Sequence, residues 1–248
     1  MNTRIQERFR NLREAGELGI VAYITAGDPS LLATLEFVLA LADAGADVIE
    51  LGVPFSDPLA DGPTIQRASE RALKSGTTLA GVLDLVRRIR KTSEVPLVLF
   101  SYFNPILQMG LEKFASTAEA AGADGVLATD LTPEESEDYR RVLGAHHLDT
   151  IFLGAPTSTD DRLAKIANCS SGFLYLISRT AAPRADGYTT PARRGLRDFA
   201  SGTRCRSWRP CRCRGRGLRA CVGDRQRDQV RRVSGRHRCC GFGPPSKT

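Results

Sequence analysis

The chain has 248 residues and a formal charge of +7, long enough for one large α/β domain or two small ones. No run of about 18 apolar residues is present, and the opening MNTRIQERFRNLREAG is charged without an apolar core; both argue against a membrane span or secretory signal and make the cytoplasm the default compartment. The charge is unevenly spread: residues 1–180 carry 17 Lys and Arg against 24 Asp and Glu, whereas residues 181–248 carry 18 against 4 and hold six of the seven cysteines, so the expected division is 1–180 and 181–248.

In chain order, the opening residues read as a short amphipathic helix with Ile5, Phe9 and Leu12 on one side. Gly19–Thr25 is a first strand. Leu31–Ala44 is a helix, with Ser30 as N-cap and Gly45 as its stop. Val48–Leu51 is the second strand. A long loop precedes helices at Thr64–Lys74 and Leu79–Lys91. Pro96–Tyr102 is the third strand, and Phe103-Asn104-Pro105 opens another loop. Leu111–Ala121 is helical, and Gly125–Thr129 is strand four. Thr132-Pro133-Glu134-Glu135 has the pattern of a capping box opening a helix. Thr150–Leu153, helix Asp160–Asn168 and Phe173–Ile177 complete six strands that alternate with helices. The strands are apolar nearly throughout, as in parallel sheets covered on both faces. Gly-Ala-Asp occurs at 45–47 and 122–124, each time just before a strand, and reads plainly as a helix stop and the start of a strand. Alternation without an early GxGxxG favours a (β/α)8 TIM barrel over a dinucleotide fold. Two further βα units would have to follow Ile177.

The chemistry concentrates in Asp47–Gln66, DVIELGVPFSDPLADGPTIQ. Glu50 lies inside an apolar run, where a carboxylate is costly unless it has a task or a partner. Gly52, Pro54, Pro58, Gly62 and Pro63 then break regular structure, and Asp57 and Asp61 ride on that segment. The expectation is a strand delivering Glu50 to its C-terminal end and a loop swinging Asp61 back over it. Two carboxylates in unlike surroundings can divide acid and base work. A structural hydrogen-bonding Glu and ordinary DPxxDG turn chemistry would give the same spacing.

The string from Glu50 to Pro63, ELGVPFSDPLADGP, resembles the signature of the tryptophan synthase alpha chain family, and the resemblance extends from about residue 5 to residue 180. It implies a lyase of tryptophan biosynthesis that cleaves indole-3-glycerol phosphate, in a retro-aldol step, to indole and glyceraldehyde 3-phosphate, with no metal or organic cofactor. It also implies Glu50 as proton shuttle and Asp61 as the carboxylate that meets the indole N–H. Tyr23, Phe100, Tyr102, Leu127, Thr129 and Tyr175 fall at or beside the family's substrate pocket. Ordinary barrel filling explains Phe100 and Leu127 equally well, whereas the hydroxyls of Tyr102 and Tyr175 need partners. The implied partner is a PLP-dependent beta chain, in an alpha2-beta2 tetramer, facing Pro54–Pro58 and the Asn104-Pro105 loop.

After Ser178-Arg179-Thr180 the family's G-V-T-G gives way to Ala181-Ala182-Pro183-Arg184, and the Gly-rich phosphate loops have no recognisable counterpart. The βα rhythm stops as well. Arg204–Arg219, RCRSWRPCRCRGRGLR, has one Trp and little aromatic interleaving for nucleic acid, and the cysteine spacings do not match a zinc site. A displaced reading frame in a GC-rich gene accounts for it better. Codons exist for Trp208–Arg219 that, moved by one base, spell GDLAGAVGVGFG, and for Gly235–Gly243 that spell DATDAAVSG. Both are close to the family's last two strands. As written, the chain is expected to leave the barrel open, to hold phosphate poorly and to have little lyase activity. Two alternatives stand beside this reading. Another phosphosugar barrel would place a Lys at a strand end, and none is found there. A decayed barrel fragment with a basic arm would bind DNA in a salt-sensitive way.

Overall fold

The computed structural model describes residues 3–177. The elements are α1 (Arg4–Ala15), β1 (Val21–Thr25), α2 (Leu31–Asp43), β2 (Val48–Gly52), α3 (Pro63–Lys74), α4 (Leu79–Ile89), β3 (Leu97–Ser101), α5 (Phe103–Met109), α6 (Leu111–Ala121) and β4 (Gly125–Ala128). A single 3-10 turn (Pro133–Glu135) precedes α7 (Glu137–Ala145), β5 (Asp149–Ile151), β6 (Leu153–Gly154), α8 (Asp160–Cys169) and β7 (Tyr175–Leu176). Strands β1 to β5 form one parallel sheet in chain order, and β6 pairs in parallel with β7. β5 and β6 are one strand interrupted at Phe152, whose carbonyl accepts the Tyr175 N–H at 3.2 Å, so six barrel positions follow one another without a crossover. The expectations for residues 178–248, including the last two βα units, lie outside the described residues. No helix among the described residues is long and apolar enough to cross a membrane.

Side chains alternate across each strand and sort into two layers. Ile49, Leu51, Leu97, Leu99 and Val126 pack outward under helices such as α4 and α6. Val48, Val98, Leu127 and Ile151 pack inward with Ile5, and Phe9, Phe100, Leu153 and Tyr175 lie against them. α1 therefore closes one end of the inner layer, with the apolar side read from its sequence.

What seats α1 is a set of buried aspartates at the starts of strands. Arg8 Nε donates to Asp47 at 2.7 Å, and the Ile20 N–H donates to the same carboxylate at 2.6 Å. Arg4 Nη1 and Arg90 Nη2 reach Asp124 at 3.0 and 2.5 Å, and the Leu97 N–H joins them at 2.7 Å. Thr3 and Gln6 both donate to Asp149. The repeated Gly-Ala-Asp is thus more than a stop and a start. Gly122, at φ +90°, does end its helix, but Asp47 and Asp124 anchor the N-terminal helix across the strand ends.

Four local readings are corrected. Phe103-Asn104-Pro105 begins helix α5 rather than a loop, because Pro105 sits in the first turn, where its missing N–H has no helical partner to lose. Thr132 opens only a 3-10 turn. Its hydroxyl donates to the Glu135 carboxylate at 3.1 Å instead of capping a backbone N–H, and the α-helix restarts after Ser136. The sixth strand shortens to Tyr175–Leu176. Glu50 lies in the middle of β2 rather than at its end.

Asp124 is 3% exposed and Arg90 10%, so removing one partner leaves a buried charge uncompensated. Asp124→Ala is expected to cost about 3–5 kcal/mol in urea unfolding. Asp84→Ala, which breaks an exposed pair with Arg87, should leave the unfolding midpoint nearly unchanged.

Candidate active site

The site begins with the register of three strands. Glu50 lies between Tyr23 on β1 and Val98 on β3, on the inner face. It is 2% exposed, and its Oε1 has no hydrogen-bond partner among the described residues. Burial alone pushes its carboxyl up to about 7, because the charged form is denied water and no cation or donor among the described residues compensates. At neutral pH such a group can both give and take a proton.

Aromatic rings stand around it. Tyr23 meets Phe100 edge-on at 5.2 Å between centroids, and Phe100 meets Tyr175 at 6.4 Å. The Tyr23 hydroxyl lies over Gly52, where a Cβ would come within 2.2 Å of it, so any larger residue at that point of β2 would displace the Tyr23 ring. That hydroxyl has one long contact, 3.4 Å to Thr25 Oγ1. Burial raises the Tyr23 phenol to about 12, and the charges of Asp61 and Glu50 add to the shift, so this side chain feels both carboxylates. Burial, with the charge of Glu50, also raises Tyr175. Leu127, the register partner of Phe100, is fully buried in the inner layer.

Asp61 arrives on the segment between β2 and α3. The Val53 N–H donates to Phe100 O at 2.8 Å, the Asp61 N–H to Pro58 O at 3.1 Å, and Gln66 Nε2 to Pro58 O and Asp61 O at 3.3 and 3.0 Å. The Tyr102 hydroxyl accepts the Ala60 N–H at 2.9 Å and donates to Asp61 Oδ2 at 3.3 Å. Burial pushes the half-buried Asp61 carboxyl upward, and the hydrogen bond from Tyr102 opposes that shift. Thr129 follows β4. Its N–H bonds to Ser101 O at 2.9 Å, and its hydroxyl oxygen is buried without a partner among the described residues.

The structure thus brings Tyr23, Glu50, Phe100, Leu127 and Tyr175 onto one face. Asp61, Tyr102 and Thr129 lie where the chain leaves the C-terminal ends of β2, β3 and β4, the end where such barrels keep their chemistry. Sequence reasoning missed Thr25, Gly52, Phe55 and Gln66. Period-two counting from Glu50 identifies Gly52, and period-two counting from Tyr23 identifies Thr25. Phe55 falls in the Pro54–Pro58 segment, but nothing in the sequence marks its ring contact with Tyr102, 4.9 Å between centroids, or the part of Gln66, which acts through backbone carbonyls. Among the described residues no group of three or more His, Cys, Asp or Glu is placed to hold a metal ion. Two surface clefts lie nearby: one is lined by Phe103, Asn104, Leu107 and Leu131, the other by Phe55, Pro58, Leu59 and Leu73.

Comparison with known proteins gives one family. A family model described as tryptophan synthase alpha chain matches residues 9–190, ten residues beyond Thr180. The chain is 56% identical over 178 residues to the tryptophan synthase alpha chain of Solibacter usitatus, covering 72% of this chain and 67% of that one. It is 52% identical over 183 residues to that of Geobacter sulfurreducens, covering 74% and 69%. Tryptophan synthase subunit alpha from Legionella pneumophila superposes with a TM-score of 0.70 at 44% identity, covering 72% and 68%. A tryptophan synthase complex from Pyrococcus furiosus gives 0.63 at 42%, covering 64% and 66%.

The raised Glu50 carboxyl has a consequence for stability. The native state holds this proton more tightly than the unfolded chain, so its contribution is present below about pH 4.5 and is lost as pH rises through about 7. Glu50→Gln does not titrate. Its stability relative to the parent chain is expected to rise by about 2–3 kcal/mol between pH 5 and pH 8, read from denaturant midpoints at each pH.

Proposed function

The chain belongs to the tryptophan synthase alpha chain family, whose members are the lyase subunit of tryptophan biosynthesis, and we propose that Glu50 and Asp61 carry that reaction here. The substrate is indole-3-glycerol phosphate, and the products are indole and glyceraldehyde 3-phosphate. Carbon–carbon cleavage needs a proton delivered to C3 of the indole ring and a proton removed from the adjacent glycerol hydroxyl. A carboxyl poised near 7 in a water-poor site serves for both, and Glu50 is that carboxyl. Asp61 meets the indole N–H as positive character develops on the ring. Tyr23, Phe100, Leu127 and Tyr175 supply an apolar wall, with Thr129 and Tyr102 at its rim. The observation that carries this reading is a buried Glu50 oxygen with no partner among the described residues.

The partner is the tryptophan synthase beta chain, which takes up the indole. The two clefts coincide with the segments matched to that face, and Leu59 and Leu107 stand 82% and 53% exposed there. A cytoplasmic location suits a biosynthetic enzyme of this kind. Residues 181–248 are read as a displaced frame standing in place of βα units seven and eight, supported by the shift in charge and cysteine content near Thr180.

The test is indole release from indole-3-glycerol phosphate by this chain and by a version whose last units are returned to frame. The restored chain should release indole, and this chain far less. Glu50→Gln and Asp61→Asn in the restored chain should each lower kcat by about 10²-fold or more. A restored chain that releases no indole would overturn the lyase reading, and unchanged rates in either variant would overturn its assignment.

A further inference from the structure

We propose that Tyr102 is a positioning residue for Asp61: its hydroxyl, rather than contacting substrate, fixes the carboxylate and the peptide before it. The inference rests on the reading of Asp61 as a catalytic carboxylate. The phenol oxygen has two uses in hydrogen bonding, and both are spent on one loop. It accepts from the Ala60 N–H and donates to Asp61 Oδ2. The ring lies against Phe55, which belongs to the same segment, at an interplanar angle of 31°.

Tyr102 is itself held firmly. Its carbonyl accepts the Ser101 hydroxyl at 2.9 Å, and the N–H of the next residue, Phe103, donates to Asp130 Oδ1 at 2.7 Å. It is 6% exposed and follows a strand with both neighbours in place. The loop, by contrast, is broken by Pro54, Pro58 and Gly62 and holds itself by short turns. A fixed phenol joined to such a segment at two adjacent residues sets where the Asp61 carboxylate points. Gln66 reinforces this from the other side through the Asp61 carbonyl. The hydrogen bond also keeps Asp61 more acidic than its burial alone would allow, which favours the ionised form at the indole N–H.

Tyr102→Phe keeps the ring and deletes both hydrogen bonds. Three readouts test the proposal. Exchange of the Ala60 amide, followed by NMR, should quicken by about tenfold. The Asp61 carboxyl should titrate at higher pH than in the parent. In chain returned to frame, kcat should fall by about tenfold, with KM changed less than about threefold and the acid limb of the pH profile moved upward. Unchanged Ala60 exchange and Asp61 titration would overturn the proposal. So would a variant in which the whole loss lies in KM, which would make the hydroxyl a substrate contact. If the two NMR readouts shift as expected but neither protein cleaves the substrate, the fixing role stands and the failure belongs to the lyase reading.

Discussion

A carboxyl group buried on β2, with no hydrogen-bond partner for its Oε1 among the described residues, is the constraint to which the rest of this structure answers. Such a group costs stability in every folded molecule, and only a surrounding fold that gains elsewhere can carry it. The gain comes from strands that are apolar on both faces, from the inner layer closed by Ile5 and Phe9, and from the outer layer under the helices. The aspartates at the opposite strand ends are buried too, but each is surrounded by donors. The contrast between Asp124, with two guanidinium groups and a backbone N–H, and Glu50, with nothing at Oε1 among the described residues, separates an anchor from the proposed reactive group more clearly than burial does.

The surroundings of Glu50 follow from the same alternation. Register places Tyr23 beside it and Phe100 one step beyond Val98, so rings rather than cations face the carboxyl. Glycine at 52 leaves the space into which the Tyr23 phenol leans. Asp61 lies on a segment outside the sheet and depends on side chains of its neighbours for its direction. One carboxyl is thus set by a strand and the other by a loop held to Tyr102, and they can titrate differently because burial alone acts on the first while a hydrogen bond offsets burial at the second.

Much of this was legible in the sequence, for identifiable reasons. Apolar runs bounded by Gly-Ala-Asp and by Pro- and Gly-rich segments marked six strands, and the order of elements followed from their alternation. Ser30 was readable as a cap, and its hydroxyl does accept the Ala33 N–H. Helix α5 was not legible, because a proline three residues after a strand reads as a loop unless its place in the first turn is known. Nor was the behaviour of Thr132, where two side chains satisfy each other instead of the backbone. The candidate site residues came from the Glu50–Pro63 string and the family resemblance it carries. What they touch was not, since Phe55, Gln66 and the double use of the Tyr102 hydroxyl depend on how a broken loop folds back.

The most direct measurement is the titration of the Glu50 carboxyl itself, followed by carbon-13 NMR on selectively labelled protein between pH 4 and pH 9. The account predicts a midpoint near 7, set by burial without a compensating partner. A midpoint in the ordinary glutamate range, about 4.3, would mean that Glu50 is solvated or hydrogen-bonded in solution, and would contradict its proposed role as a proton shuttle.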